Sequence, residues 1–162
     1  MLIYVNGDSH SAGAEAVTPH AFAEDDKDYF YMGRAPHPDN LLVSWGKLLS
    51  LALNCGFHCG AESASSNHRI MRTTRDWLAQ PRNQDVLVVI QWSTWEREEW
   101  FHNGKWYQVN ASGQDWVPEE LQQRYKQFVI DVDWNKSTSQ CHESIWDLHQ
   151  ELLVVQIKKL EN

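Results

Sequence analysis

Leu2-Ile3-Tyr4-Val5-Asn6-Gly7-Asp8-Ser9-His10 is an apolar run the length of one buried strand, halted abruptly by Gly-Asp-Ser. Ser11, Ala12, Gly13 and Ala14 follow with small and polar side chains. Such a stretch presents a serine at the carboxyl end of the first strand of an α/β sheet, where open sheets bind their ligands. Gly7 permits a tight turn, and Asp8 or Ser9 caps the helix that follows. Helix amides are then placed to stabilise negative charge near the Ser9 hydroxyl. Taken alone, Gly-Asp-Ser is more often an N-cap after a buried strand. Its place in the chain and two later segments favour a chemical role.

Working outward, Asp85 through Gln91 (Val86, Leu87, Val88, Val89, Ile90) is the strongest strand, continuous enough to be central and buried on both faces. Asn54–Cys59 gives a weaker strand around the stop at Gly56. Between these two, Ser65-Ser66-Asn67 offers N-caps for a helix over about 67–80. Residues 41–53 carry Leu41, Leu42, Trp45, Leu48, Leu49 and Ala52 at the spacing of an amphipathic helix. Residues 15–40, with Pro19, Pro36, Pro38 and an acidic Glu24-Asp25-Asp26, read as a long ordered loop over the top of the sheet. His102-Asn103-Gly104-Lys105 reads as a hairpin turn. Pro118 opens a helix through about Val132, and Ser137 starts another toward Leu160. Strands alternating with helices predict a parallel sheet in one domain over residues 1–162.

Composition narrows the function. The 162 residues carry a formal charge of −8 with no basic stripe, which argues against nucleic-acid and anionic-membrane partners. No apolar run approaches the ~20 residues of a membrane span. No signal-like segment precedes the first strand, and the three cysteines, Cys55, Cys59 and Cys141, suit reduced thiols in a cytoplasm. Nine tryptophans suit either core packing or a flat platform for sugars.

These segments together resemble the SGNH or GDSL-type hydrolases, a serine-esterase family with a flavodoxin-like three-layer α/β/α fold and a parallel central sheet. The first block of that family is a Gly-Asp-Ser, here Gly7-Asp8-Ser9, which makes Ser9 the implied nucleophile. The second is a small-residue loop after the second strand, here Gly60-Ala61-Glu62-Ser63-Ala64-Ser65-Ser66-Asn67. The amides of Ala64 and Ser65 would hold the oxyanion, at positions where the family often has glycine. The third follows the central strand and normally supplies an asparagine; this chain has Gln91-Trp92-Ser93-Thr94, so Ser93 or Thr94 would replace it. A narrower resemblance is to SGNH-like proteins of tailed bacteriophages. They share Ser66-Asn67-His68-Arg69-Ile70-Met71-Arg72-Thr73 and Trp92-Ser93-Thr94-Trp95-Glu96-Arg97-Glu98. For a phage-encoded chain the expected location is the host cytoplasm.

The resemblance implies attack of Ser9 on an acyl or acetyl ester, on a glycan if the tryptophans form a platform. Asp8, His10, Asn67, Trp92, Ser93, Thr94 and Arg97 would line the substrate site. No cofactor and no metal are expected. His142-Glu143-Ser144-Ile145-Trp146 begins like a zinc-protease helix but has Trp146 in place of the second histidine. The family's closing Asp-x-x-His is not found, since Asp147-Leu148-His149 is one residue short. The sheet is therefore expected to be incomplete at its C-terminal side, with an open edge that invites pairing with a second copy. The alternative function is a non-catalytic binding or virion-associated domain that kept the fold and lost the Asp-His pair. Arg69, Arg72, Arg75 and Arg97 would hold a carboxylate or phosphate, although a solvated helix face also accounts for the first three.

Overall fold

Leu2–Asn6 forms strand β1, and β2 (Gly56–Cys59) and β3 (Val86–Ile90) pair with it in parallel on either side. Leu2 stands opposite both Gly56 and Val86. The computed structural model describes residues 1–19, 35–111 and 117–132. The middle of the expected long loop, the helix expected from Ser137, and Cys141, His142, Asp147 and His149 lie outside them.

The molecule is thus α/β with a small parallel sheet in the order β2-β1-β3, and the expected neighbourhood of β1 and β3 holds. In the described sheet β1 is the strand flanked on both sides. Its Ile3, Tyr4 and Val5 are at most 1% exposed, while Leu87 of β3 is 41% exposed. An unbroken apolar run allows burial on both faces but does not say which strand lies in the middle.

The side chains of β1 alternate, as strand geometry requires. Val5 faces α3 (Trp45–Ala52), where a side chain on Gly46 would stand 2.8 Å from Val5 Cγ2 and 3.0 Å from the Phe57 ring. Tyr4 and Asn6 face α4 (Asn67–Ala79), with Tyr4 stacked on Trp77 at 4.1 Å between ring centroids. One crossover leaves β1 for β2 and the next returns past β1 to β3, so crossovers of one hand place their helices on opposite faces.

The helix expected over 41–53 is two helices. Pro38–Leu42 forms α2, and α3 begins afresh behind Ser44, whose hydroxyl accepts from the Lys47 N–H at 3.4 Å. The expected apolar stripe is not the buried one: Leu42, Trp45 and Leu48 are exposed, and Asn40, Gly46 and Ser50 are buried. Close approach to the sheet selects small residues on that face.

A second region follows. β4 (Glu98–His102) and β5 (Lys105–Val109) form an antiparallel hairpin whose turn residues, Asn103 and Gly104, have φ of 48° and 78°. Those left-handed values are the ones a tight two-residue hairpin needs, as the Asn-Gly pair predicts. After Pro118, a 3-10 turn (Glu119–Leu121) leads into α5 (Gln122–Asp131), the helix expected from that proline. Trp100, Val109, Val117 and Tyr125 form its core, with Phe128 edge-on to Trp100. Among the described residues no helix is long and apolar enough to cross a membrane.

Candidate functional site

The loops leaving the three strands are tied together at their carboxyl ends. Gly60 N–H donates to the Val5 carbonyl (2.8 Å), Glu62 N–H to Gly7 (3.3 Å) and Gln91 N–H to Asn6 (2.9 Å). Gly7 is glycine for clearance rather than for a special turn. A Cβ there would meet Ser11 Oγ at 2.5 Å and Gln91 Cβ at 3.0 Å, and its φ is not left-handed. Ser11 in turn donates to the Gln91 side-chain carbonyl.

Asp8 caps α1 (Ser9–Ala12), Oδ1 accepting from the His10 N–H at 3.1 Å. Its Oδ2 accepts from Ser93 Oγ (3.0 Å) and from Arg97 (3.2 Å), and Arg97 also donates to Ser93 Oγ at 2.8 Å. Asn67 completes the cluster, its side-chain amide accepting from the Ser93 N–H (2.7 Å) and donating to the Ser93 carbonyl (3.1 Å). Asp8, Asn67 and Ser93 are all buried. One connected network therefore links the loops after β1, β2 and β3.

Several residues expected at the substrate site belong to this network. Asp8 and Asn67, expected to line it, hold the loops in register through their hydrogen bonds. Ser93 was a candidate third oxyanion donor. Its hydroxyl goes to Asp8 and its N–H to Asn67. Thr94 is exposed and outside the network, and the Ser65 N–H donates to the Glu62 carbonyl at 3.3 Å. What stays open is Ser9 itself. Among the described residues, neither its hydroxyl nor the Ala64 N–H has a hydrogen-bond partner. Ala64 has a φ of 62°, the left-handed conformation that glycine adopts freely. His10 is exposed beside Ser9, Trp92 is half-buried beside Ser93, and part of the Arg97 side chain reaches solvent.

The arginines divide unexpectedly. Arg69 is buried and paired with Glu62, and Arg72 grips Glu99 of β4 through two bonds, at 2.8 and 2.6 Å. That carboxylate holds the Arg72 guanidinium still more firmly protonated than usual. Of these three arginines of α4, Arg75 alone is a solvated helix residue. Asn6 was not among the expected site residues. It is fully buried, and its amide nitrogen lies within reach of Thr73 Oγ1 (2.8 Å), Thr74 Oγ1 (2.9 Å), the Tyr4 hydroxyl (3.0 Å) and the Ile70 carbonyl (3.1 Å). A polar residue closing an apolar run was the available signal. Burial pushes the Cys59 thiol up, away from thiolate chemistry, and pushes the Tyr4 hydroxyl up as well. Among the described residues no three histidine, cysteine or carboxylate side chains are grouped to hold a metal.

Residues 38–155 match a family of unknown function, DUF6071, and the chain belongs to that family. The match takes in the segments that carry Ala64, Asn67, Ser93 and Arg97. No curated protein and no solved structure matches the chain.

Proposed function

We propose that this DUF6071 member is a serine hydrolase of the SGNH type, acting on acyl or acetyl esters with Ser9 as nucleophile. The observation that carries this is the position of the Ser9 hydroxyl. Ser9 opens α1 just past the carboxyl end of the middle strand, and its hydroxyl has no described partner. The order β2-β1-β3 is the opening of the flavodoxin-like order 2-1-3-4-5, whose ligand site lies at the switch between strands 1 and 3. The helices on opposite faces of β1 suit the same three-layer arrangement.

In this mechanism Ser9 Oγ attacks the ester carbonyl carbon and gives its proton to a histidine. The alcohol leaves, and water hydrolyses the acyl-enzyme to a carboxylic acid. The Ala64 N–H, together with the Ser9 N–H, receives the negative charge on the carbonyl oxygen. Among the described histidines, His58 is stacked on Tyr4 at 5.6 Å, and His10 and His68 are exposed. None is placed by a carboxylate against Ser9, so the base is sought in the rest of the chain or in a second copy.

Hydrolysis of p-nitrophenyl acetate by the whole chain and by Ser9→Ala tests the proposal. Without a triad base, turnover falls by roughly 10⁴- to 10⁶-fold, yet an activated ester leaves a residual rate. The expected result is slow turnover that Ser9→Ala abolishes, with weak Ser9 labelling by a fluorophosphonate. Equal rates and equal labelling in both chains would leave a non-catalytic binding domain.

A further inference from the structure

We propose that Arg69, through its buried pair with Glu62, is a positioning residue that holds the Ala64 peptide in its left-handed turn. In that turn the Ala64 N–H has no described partner, and the inference rests on Ser9 being the nucleophile with this N–H receiving the oxyanion. Arg69 is 6% exposed, and its guanidinium meets three parts of one loop. It pairs with the Glu62 carboxylate and donates to the Gly60 carbonyl (3.2 Å) and to Ser65 Oγ (3.2 Å). Ser65 Oγ then donates to the Glu62 carbonyl at 2.7 Å, and the Ser65 N–H joins the same oxygen at 3.3 Å. Residues 62 and 65 are fixed on either side of Ala64, whose own N–H is left without a described partner. From the hairpin, Gln108 Nε2 reaches the Glu62 carboxylate at 3.3 Å.

Stability alone does not call for this arrangement, because well-packed apolar residues often replace a buried ion pair at no loss. Geometry does. Ala64 sits in a conformation that is unfavourable for any residue with a Cβ, and such conformations persist only where the surroundings over-determine them. A planar, five-donor fork can hold acceptors from three residues at once, which a lysine ammonium cannot reproduce.

The test uses the full chain with Arg69→Met, Arg69→Lys and the exposed control Arg75→Met. For the Ser9-dependent hydrolysis of p-nitrophenyl acetate, Arg69→Met is expected to lower kcat by about 10- to 100-fold with KM unchanged. An oxyanion contact acts in the transition state and not in substrate binding. Arg69→Lys should fall between, and Arg75→Met should match the parent. Backbone amide exchange gives a second reading that needs no activity. Exchange at residues 62–66 should quicken at least about tenfold in Arg69→Met, with β1 and β3 unmoved. If Arg69→Met fails to fold, Arg69→Lys carries both measurements. Unchanged exchange at 62–66, or a raised KM with kcat held, overturns the positioning role. If Ser9→Ala hydrolyses as fast as the parent, the esterase reading falls. Local loosening at 62–66 would then show Arg69 holding the turn for the fold alone, and the catalytic inference falls with it.

Discussion

On one side of β1, Val5 lies so close under α3 that a methyl group on Gly46 would have no room; on the other, Asn6 spreads one amide across Tyr4 and the α4 residues Ile70, Thr73 and Thr74. Both residues are fully buried and adjacent in sequence. The first face is held by shape, the second by hydrogen bonds whose loss strands polar groups away from water. The lesson is that one strand can meet two helices by different physics, and that only one of those meetings resembles an oily core.

Removing the polar contact should be the more damaging change. Asn6→Ala leaves the Gly7 N–H, bonded to Asn6 Oδ1 at 2.9 Å, without its acceptor and opens a gap beside Tyr4. A loss of roughly 3 kcal/mol is expected in urea unfolding. A loss below about 1 kcal/mol would mean that the α4 face is held by packing as well. Next comes Gly46→Ala. Helix propensity favours alanine by about 1 kcal/mol, but crowding of a buried β-branched Val5 opposes it, for a net loss of about 1–2 kcal/mol. Net stabilisation would show that the α3 face gives way easily.

Tyr4→Phe is milder. It removes a hydroxyl that accepts from Asn6 at 3.0 Å while keeping the ring stacked on Trp77, and about 1 kcal/mol should be lost. The smallest effect belongs to His58, whose ring lies 5.6 Å from that of Tyr4 and 5.3 Å from that of Trp77. Partial burial, helped by nearby Arg82, lowers its pKa below the usual histidine value of about 6.5. The unfolded chain therefore binds this proton first as pH falls. Stability should decline as pH drops through about 6.5, flattening once the folded form protonates too. His58→Gln should have a shallower decline between about pH 7.5 and about pH 5.5. An unchanged slope would remove His58 from the pH response.

These contrasts explain what was legible in the sequence. β1, β3, α4 and the Asn103-Gly104 turn announce themselves, because apolar runs, caps and left-handed turn residues are local signals. The order β2-β1-β3 of the described strands does not, since sheet order is set by crossovers and not by the run itself. Likewise Leu42, Trp45 and Leu48 advertised a buried stripe, while Gly46 and Ser50 are the buried residues of α3. In the site, Ser9 and the small-residue loop were readable as a pattern. The engagement of Asp8, Asn67 and Ser93 with one another was not, because it joins residues up to 85 positions apart. Arg69 looked like a helix-surface charge for a different reason: its partners are near in sequence, but they lie in the loop that its own helix follows, and only the fold turns the side chain back onto them.

The hairpin turn at Asn103-Gly104 has a consequence in time. Its strands pair residues as near in sequence as His102 and Lys105, whereas β1 must find Gly56 and Val86 from Leu2. Closing a short loop takes about 10–100 ns and a hairpin about 1–10 μs, while distant parallel pairing is slow. Newly diluted chains should protect the amides of β4 and β5 well before those of β1. During that interval the strand that leads into Ser9 is the last to be secured.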